Sequence, residues 1–107
     1  MGPNPHRGEV SLVIDGTSRR LRLTLGALAA LETRLDAKSL MGLAERFENG
    51  RVGSADLLAL LAAGLSGAGE TLTEEALATA DIEGGAVGAM RAGMDLLACT
   101  FRPLEHG

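Results

Sequence analysis

The side chains that could do chemistry in this chain are few and widely separated. His6 and His106 lie near the two ends, with no cysteine or carboxylate at metal-ligand spacing. Cys99 would be a nucleophile only if a neighbouring cation activated its thiolate, and a lone cysteine is more often a small buried apolar residue. Glu45 and Glu48 are predicted to point to solvent from a helix. We therefore expect no catalytic residue, no metal and no cofactor, and we predict that the protein is not an enzyme.

The composition of the chain excludes several other classes of protein. The formal net charge of -4 argues against a protein that mainly binds nucleic acid. The single cysteine allows no internal disulfide, so the fold does not need an oxidising compartment. There is no signal-peptide pattern at the start and no apolar run near the ~20 residues that span a bilayer. We expect one soluble, cytoplasmic domain over residues 1–107, without membrane contact.

The elements that must carry any binding site begin with a predicted β-hairpin. Apolar residues alternate over residues 10–14 and again over 21–25, so that each set shares one face of a strand. Arg20 and Arg22 fall on the opposite face, which suits contact with water. The leucine face must pack on helices or on another chain, because an isolated hairpin is marginally stable in water.

The register of this hairpin stays open in the sequence. A two-residue turn at Asp15 and Gly16 would pair Val10 with Leu21. A four-residue loop at 15–18 would instead pair Leu12 with Leu21. Both registers keep the leucines on the same face, so the choice does not alter which side packs on the core.

Beyond residue 25 the apolar spacing changes to three and four, which predicts four to five small helices. Thr24 is expected to cap the first helix, with Leu25 on its inward stripe, and Ser54 to cap the third. The last helix is predicted to end near residue 102, before a proline. The fold class is therefore α+β, a hairpin over 9–25 followed by a helical part over 25–102. The stripe of the last helix consists of Val87, Met90, Met94, Leu97 and Phe101.

Glycine is unusually frequent, with 15 residues in the chain. Each glycine inside a helix costs about 0.8–1 kcal/mol relative to alanine, so a compensating reason is expected. Close helix packing is the favoured explanation, since Ala89, Ala92 and Gly93 give the last helix a face of small residues. The alternative is that the helices shift or finish folding on a partner.

The charges are distributed unevenly along the chain. Residues 1–25 contain four arginines against two acids, whereas residues 70–83 contain five acids and no base. Most such runs are only solvated surface. The alternative is a dipolar subunit whose basic hairpin, with Arg20 and Arg22, meets an acidic surface on a neighbour. Open hairpin edges also make a homo-oligomer possible.

Four stretches of the chain resemble one phage-derived family. The distinctive ones are the Pro-His-Arg-Gly-Glu-Val run at 5–10 and the Leu-Thr-Leu-Gly-Ala-Leu run at 23–28. Leucine- and alanine-rich stretches at 43–47 and 56–65 follow in the same order. The chain thus resembles the small tail-cluster protein of bacterial gene transfer agents over almost its whole length. That family is described both as a tail tube protein and as a tail assembly chaperone.

The helical periodicity favours the chaperone description, because a tube subunit is expected to be rich in β-strands. The resemblance then implies two partners, the tape-measure protein and the tail-tube protein, bound during tail assembly. The alternative is a structural tube component of the tail. A helix-turn-helix regulator, suggested by the turn at 49–53, has little support because its second helix offers no arginine or asparagine to bases.

Partner contact is most simply assigned to the methionine stripe of the last helix. Thioether side chains adapt to varied apolar surfaces, so Met90, Met94 and Phe101 are the first candidates and Met41 the next. Arg20 and Arg22 are the candidates for charged contact. The competing interpretation is that a methionine stripe at helical spacing belongs to the core.

Overall fold

The described residues form an antiparallel hairpin followed by five helices, which confirms the predicted α+β class. A computed structural model describes residues 9–35 and 40–101, apart from the side chains of residues 35, 40, 41, 43, 44 and 101. The elements, in chain order, are β1 (Glu9–Ile14), β2 (Thr17–Arg22), α1 (Leu25–Leu35), α2 (Leu40–Glu48), α3 (Ser54–Gly67), α4 (Glu74–Ala78) and α5 (Gly85–Phe101).

The hairpin adopts the shorter of the two possible connections. Val10 pairs with Leu21, and the turn consists of Asp15 and Gly16 alone. Asp15 has a φ of 53° and Gly16 a φ of 80°, the two positive values that a type I′ turn requires. An aspartate followed by glycine satisfies this requirement at little steric cost, which explains why the longer loop is not used.

A third segment extends the sheet beyond the predicted hairpin. Ile82 forms an isolated antiparallel bridge with Ile14, on the outer edge of β1. The Asp15 N–H donates to the Asp81 carbonyl at 2.7 Å, and the Glu83 N–H donates to the Val13 carbonyl at 3.0 Å. This edge is therefore covered close to the turn. The sequence did not predict the bridge, because it joins residues far apart in the chain.

The core lies between the inner face of the hairpin and the helices. α3 is its central helix, since it packs against β2, α1, α4 and α5. The buried apolar residues of the described part of the chain are Leu12, Ile14, Leu21, Leu23, Leu28, Leu31, Phe47, Ala59, Leu60, Leu61, Leu65, Leu77, Ala89, Ala92, Leu96 and Leu97.

Leu25 departs from its predicted position on the inner face. Its side chain is 84% exposed, although Leu23 before it and Leu28 after it are buried. The strand ends before Thr24, whose hydroxyl accepts a hydrogen bond from the Ala27 N–H at 3.1 Å, so the predicted cap is confirmed. Leu25 is thus the first residue of α1 and points to solvent. The prediction that Leu25 lies on the leucine face of the hairpin and on the inward stripe of the first helix was wrong.

The start of α3 also differs from the prediction. Ser54 is the first helical residue, and the residue that caps the helix is Gly53. The Asp56 carboxylate accepts a hydrogen bond from the Gly53 N–H at 3.2 Å, which satisfies the backbone at this end. A carboxylate in the first turn also suits the helix dipole. The predicted Ser54 cap was therefore wrong by one residue.

Two of the glycines inside helices, Gly64 and Gly93, permit close packing, as predicted. A β-carbon at Gly64 would lie 2.7 Å from Cδ2 of Leu96 and 3.2 Å from Cβ of Leu21. One at Gly93 would lie 3.0 Å from Cδ1 of Leu57. These distances leave no room for alanine without movement of a neighbour. Close approach therefore explains why glycine is tolerated here despite its helix penalty.

Candidate functional site

Apart from Leu25, the large apolar side chains that are exposed in the described chain lie on α5. The side chain of Val87 is 71% exposed and that of Met94 is 43% exposed, while Met90 is half-buried between them. We call these three residues the outer stripe. They line an open groove of about 580 Å³, whose described lining is completed by Ala86, Arg91 and Asp95.

The outer stripe faces outward because the opposite face of α5, which combines small residues with two leucines, packs into the core. Ala89, Ala92 and Gly93 are buried and allow the helix to approach α3 closely. Leu96 and Leu97 complete this inner face at 0% and 4% exposure. The predicted stripe is therefore divided, since Leu97 belongs to the core and Val87 and Met94 do not. The alternative that the methionine stripe is core was wrong for Val87 and Met94, but it holds in part for Met90, which is half-buried and packs against the core.

The other predicted contact residues do not line the groove within the described structure. Arg20 and Arg22 are exposed on the solvent face of the hairpin, as their alternation predicted. Met41 lies in α2 and Phe101 ends α5, but both side chains lie outside the described part of the structure. Of the six candidates, Met90 and Met94 lie together on α5 and Arg20 and Arg22 lie together on the hairpin, and only the two methionines line the described groove.

Part of the acidic run is neutralised within the chain. Arg19 Nη1 lies 2.9 Å from Glu70 Oε1, and Arg34 Nη2 lies 2.9 Å from Glu74 Oε1. Because these acids are already paired, the charge left on segment 70–83 for a neighbour is smaller than the sequence suggests. Glu75 remains exposed on α4.

Two charged residues beside the outer stripe were not selected in the sequence. Arg91 and Asp95 are exposed, lie four residues apart and flank the stripe on the same side. Neither takes part in an ion pair among the described residues, where the third such pair joins Arg46 to Asp56 at 3.1 Å. The four-residue spacing of Arg91 and Asp95 is visible in the sequence. It indicates a contact surface only once the stripe beside these two residues is known to be exposed.

The described residues contain no cluster of three or more histidine, cysteine or acidic side chains that could hold a metal ion. Cys99 is half-buried in α5. Within the same residues, no helix is long and apolar enough to cross a membrane. The feature that the described residues do show is one apolar helix face with charged residues at its rim.

Comparison with known proteins assigns the chain to a family. Searches among curated proteins and among solved structures gave no match. A family model described as "phage tail tube protein, GTA-gp10" matches residues 7–102. This range covers both strands and all five helices. The match confirms the resemblance to a gene transfer agent tail-cluster protein and supports a role in a phage-like tail, and the chain belongs to this phage tail tube protein family.

Proposed function

We propose that the protein is a non-enzymatic structural component of a phage-like tail, which works by binding other tail proteins. The observation that carries this proposal is the family match over residues 7–102, whose description names a tail tube protein. The exposed outer stripe supports it, because an apolar helix face with a charged rim is typical of a protein–protein contact.

The helical architecture favours a second candidate, a tail assembly chaperone. Tube subunits are expected to present long strands, whereas the strands here contain six residues each and most of the described chain is helical. An assembly chaperone would bind the tape-measure protein, a long helical partner, through Met90 and Met94. Such a contact is a helix packed into an apolar groove, for which flexible methionines are well suited. Tail-tube subunits would then be a second partner.

The helix-turn-helix alternative conflicts with the position of the helix that would have to bind DNA. In a helix-turn-helix protein the second helix must enter the major groove of DNA. Here that helix would be α3, whose residues Leu60, Leu61 and Leu65 are fully buried among the other elements. We therefore propose protein partners only, with assembly taking place in the cytoplasm.

The composition of purified particles separates the two candidates. We expect a structural component to be present in finished tails at a copy number comparable to other tube proteins, as measured by quantitative mass spectrometry. A chaperone would be required for tails to form but would be missing from them. Absence of the protein from complete particles would overturn the structural proposal and leave the chaperone.

Co-expression with the tape-measure protein tests the chaperone directly. If the second candidate is correct, the tape-measure protein stays soluble and co-purifies only when this chain is present. The Met94→Glu variant should lose this effect, because a carboxylate would be placed in the apolar contact. The Glu75→Arg variant is a matched control at an exposed position of α4 and should retain it.

A further inference from the structure

The outer stripe of α5 is suited to a partner, because it groups branched and thioether side chains in water on one helix face. Val87 and Met94 are 71% and 43% exposed, and both line the open groove. The occupant can be chosen from the charges at the rim of this groove. Arg91 and Asp95 supply one positive and one negative charge on the same flank of the stripe. A partner of a single charge would be attracted by one of them and repelled by the other.

A second copy of the same chain supplies the matching pattern of charges. When two helices pack antiparallel about a two-fold axis, the same flank of each helix faces the other. If the axis lies level with the midpoint between residues 91 and 95, Arg91 of each copy lies beside Asp95 of the other copy. Both cross-contacts are then attractive, and the methionines of the two copies interleave between them.

The two charges are available for this contact. They are one helical turn apart, yet no ion pair joins them to each other or to another described residue. A parallel arrangement would place this flank against the Met90 side of the other helix and leave the charges unmatched. Self-complementarity therefore selects the antiparallel arrangement.

We propose that the isolated protein forms a two-fold dimer through the outer stripe of α5, with reciprocal contacts between Arg91 and Asp95. The small size of the stripe predicts a weak, reversible dimer rather than an obligate one. The proposal concerns the isolated chain and does not depend on whether the protein stays in finished tails.

Sedimentation velocity from micromolar to millimolar protein tests the proposal. The wild type should pass reversibly from monomer to dimer. Arg91→Asp and Asp95→Arg should each weaken the homodimer at least about tenfold, because the two-fold axis repeats every repulsive contact. Glu75→Arg, a charge reversal at an exposed position of α4, should leave the dissociation constant unchanged. Far-UV circular dichroism checks that all variants keep their helices.

A mixture of the two reversed variants provides the decisive measurement. Arg91→Asp carries two acids at the rim and Asp95→Arg carries two bases, so each repels its own copy. Mixed at equal concentration, they should form a heterodimer with two attractive contacts. A wild type that stays monomeric at millimolar concentration would overturn the proposal. So would a dimer that neither substitution weakens, or a mixture that fails to associate more strongly than its components.

Discussion

The α-carbon of Gly67 packs directly against the carbonyl oxygen of Arg22, so that a β-carbon at position 67 would collide with that oxygen. This contact joins the last residue of α3 to the last residue of β2. It allows the central helix to lie against the hairpin at the point where the chain leaves the strand for α1. The relationship is between two backbones, so a change of side-chain rotamer cannot relieve it.

Replacement of Gly67 by alanine should therefore destabilise the protein. We expect the free energy of unfolding to fall by about 1–3 kcal/mol, toward the upper end because backbone must move. Gly26→Ala is the matched control in a helix. Its β-carbon would meet only Thr24 Oγ1 at 3.9 Å, so alanine should be neutral or slightly stabilising. Urea unfolding of the two variants measures both effects, and equal losses would contradict the role of the Arg22 contact.

The hairpin turn gives a second prediction, at Asp15. Its φ of 53° is tolerated by aspartate and asparagine, and its Oδ1 accepts a hydrogen bond from the Asp81 N–H at 2.8 Å. Asp15→Ala should cost about 1–2 kcal/mol, because it loses this bond and strains the turn. Asp15→Asn retains the side-chain oxygen and should stay within about 0.5 kcal/mol of the wild type. Thermal unfolding distinguishes them, and an asparagine variant as unstable as the alanine one would show that the carboxylate charge is what matters.

The two long-range ion pairs of the acidic run should differ in strength. The side chains of Arg19 and Glu70 are 29% and 24% exposed, and Arg19 Nε is buried without a hydrogen-bond partner in the described structure. Those of Arg34 and Glu74 are 52% and 34% exposed, so water screens them more effectively.

Double-mutant cycles should therefore give the larger coupling energy for the first pair. We expect about 1–2 kcal/mol between Arg19→Met and Glu70→Gln, and below about 1 kcal/mol between Arg34→Met and Glu74→Gln. The Arg19→Met/Glu70→Gln double variant should be close to the wild type in stability, since it removes a half-buried charge together with its partner. A larger coupling in the Arg34 pair would contradict this ranking.

The parts of the fold that were predictable are those determined by local spacing. Alternation located both strands, and the Thr24 cap located the start of α1. The sequence could not choose between the two-residue turn at Asp15 and Gly16 and the four-residue loop at 15–18, because both registers place the leucines on the same face. The Ile14–Ile82 bridge was not predictable in this way, since nothing near Ile82 in the chain shows that it lies beside β1.

The candidate site was harder to predict because α5 has two apolar faces. The spacing of Met90 and Met94 suits either a core or a contact surface. What decides between them is the distance to α3, where Gly93 lies beneath Leu57. The small residues on that face bring the helix close to α3, with Met94 exposed and Met90 half-buried against the core. This outcome depends on a partner helix far away in the sequence, which periodicity alone does not supply.

Leu25 offers the clearest test of where local spacing fails. It continues the alternation of β2 and also begins the spacing of α1, so both patterns assigned it to the inside. In the structure the chain turns at Thr24, and Leu25 is 84% exposed whereas Leu28 is 7% exposed.

Leu25→Gln should therefore change the free energy of unfolding by no more than about 0.5 kcal/mol. Leu28→Ala should cost about 2–5 kcal/mol, because it removes buried methyl groups and leaves a cavity. Urea denaturation of both variants measures the contrast, and a loss at Leu25 as large as that at Leu28 would mean that Leu25 is covered in solution.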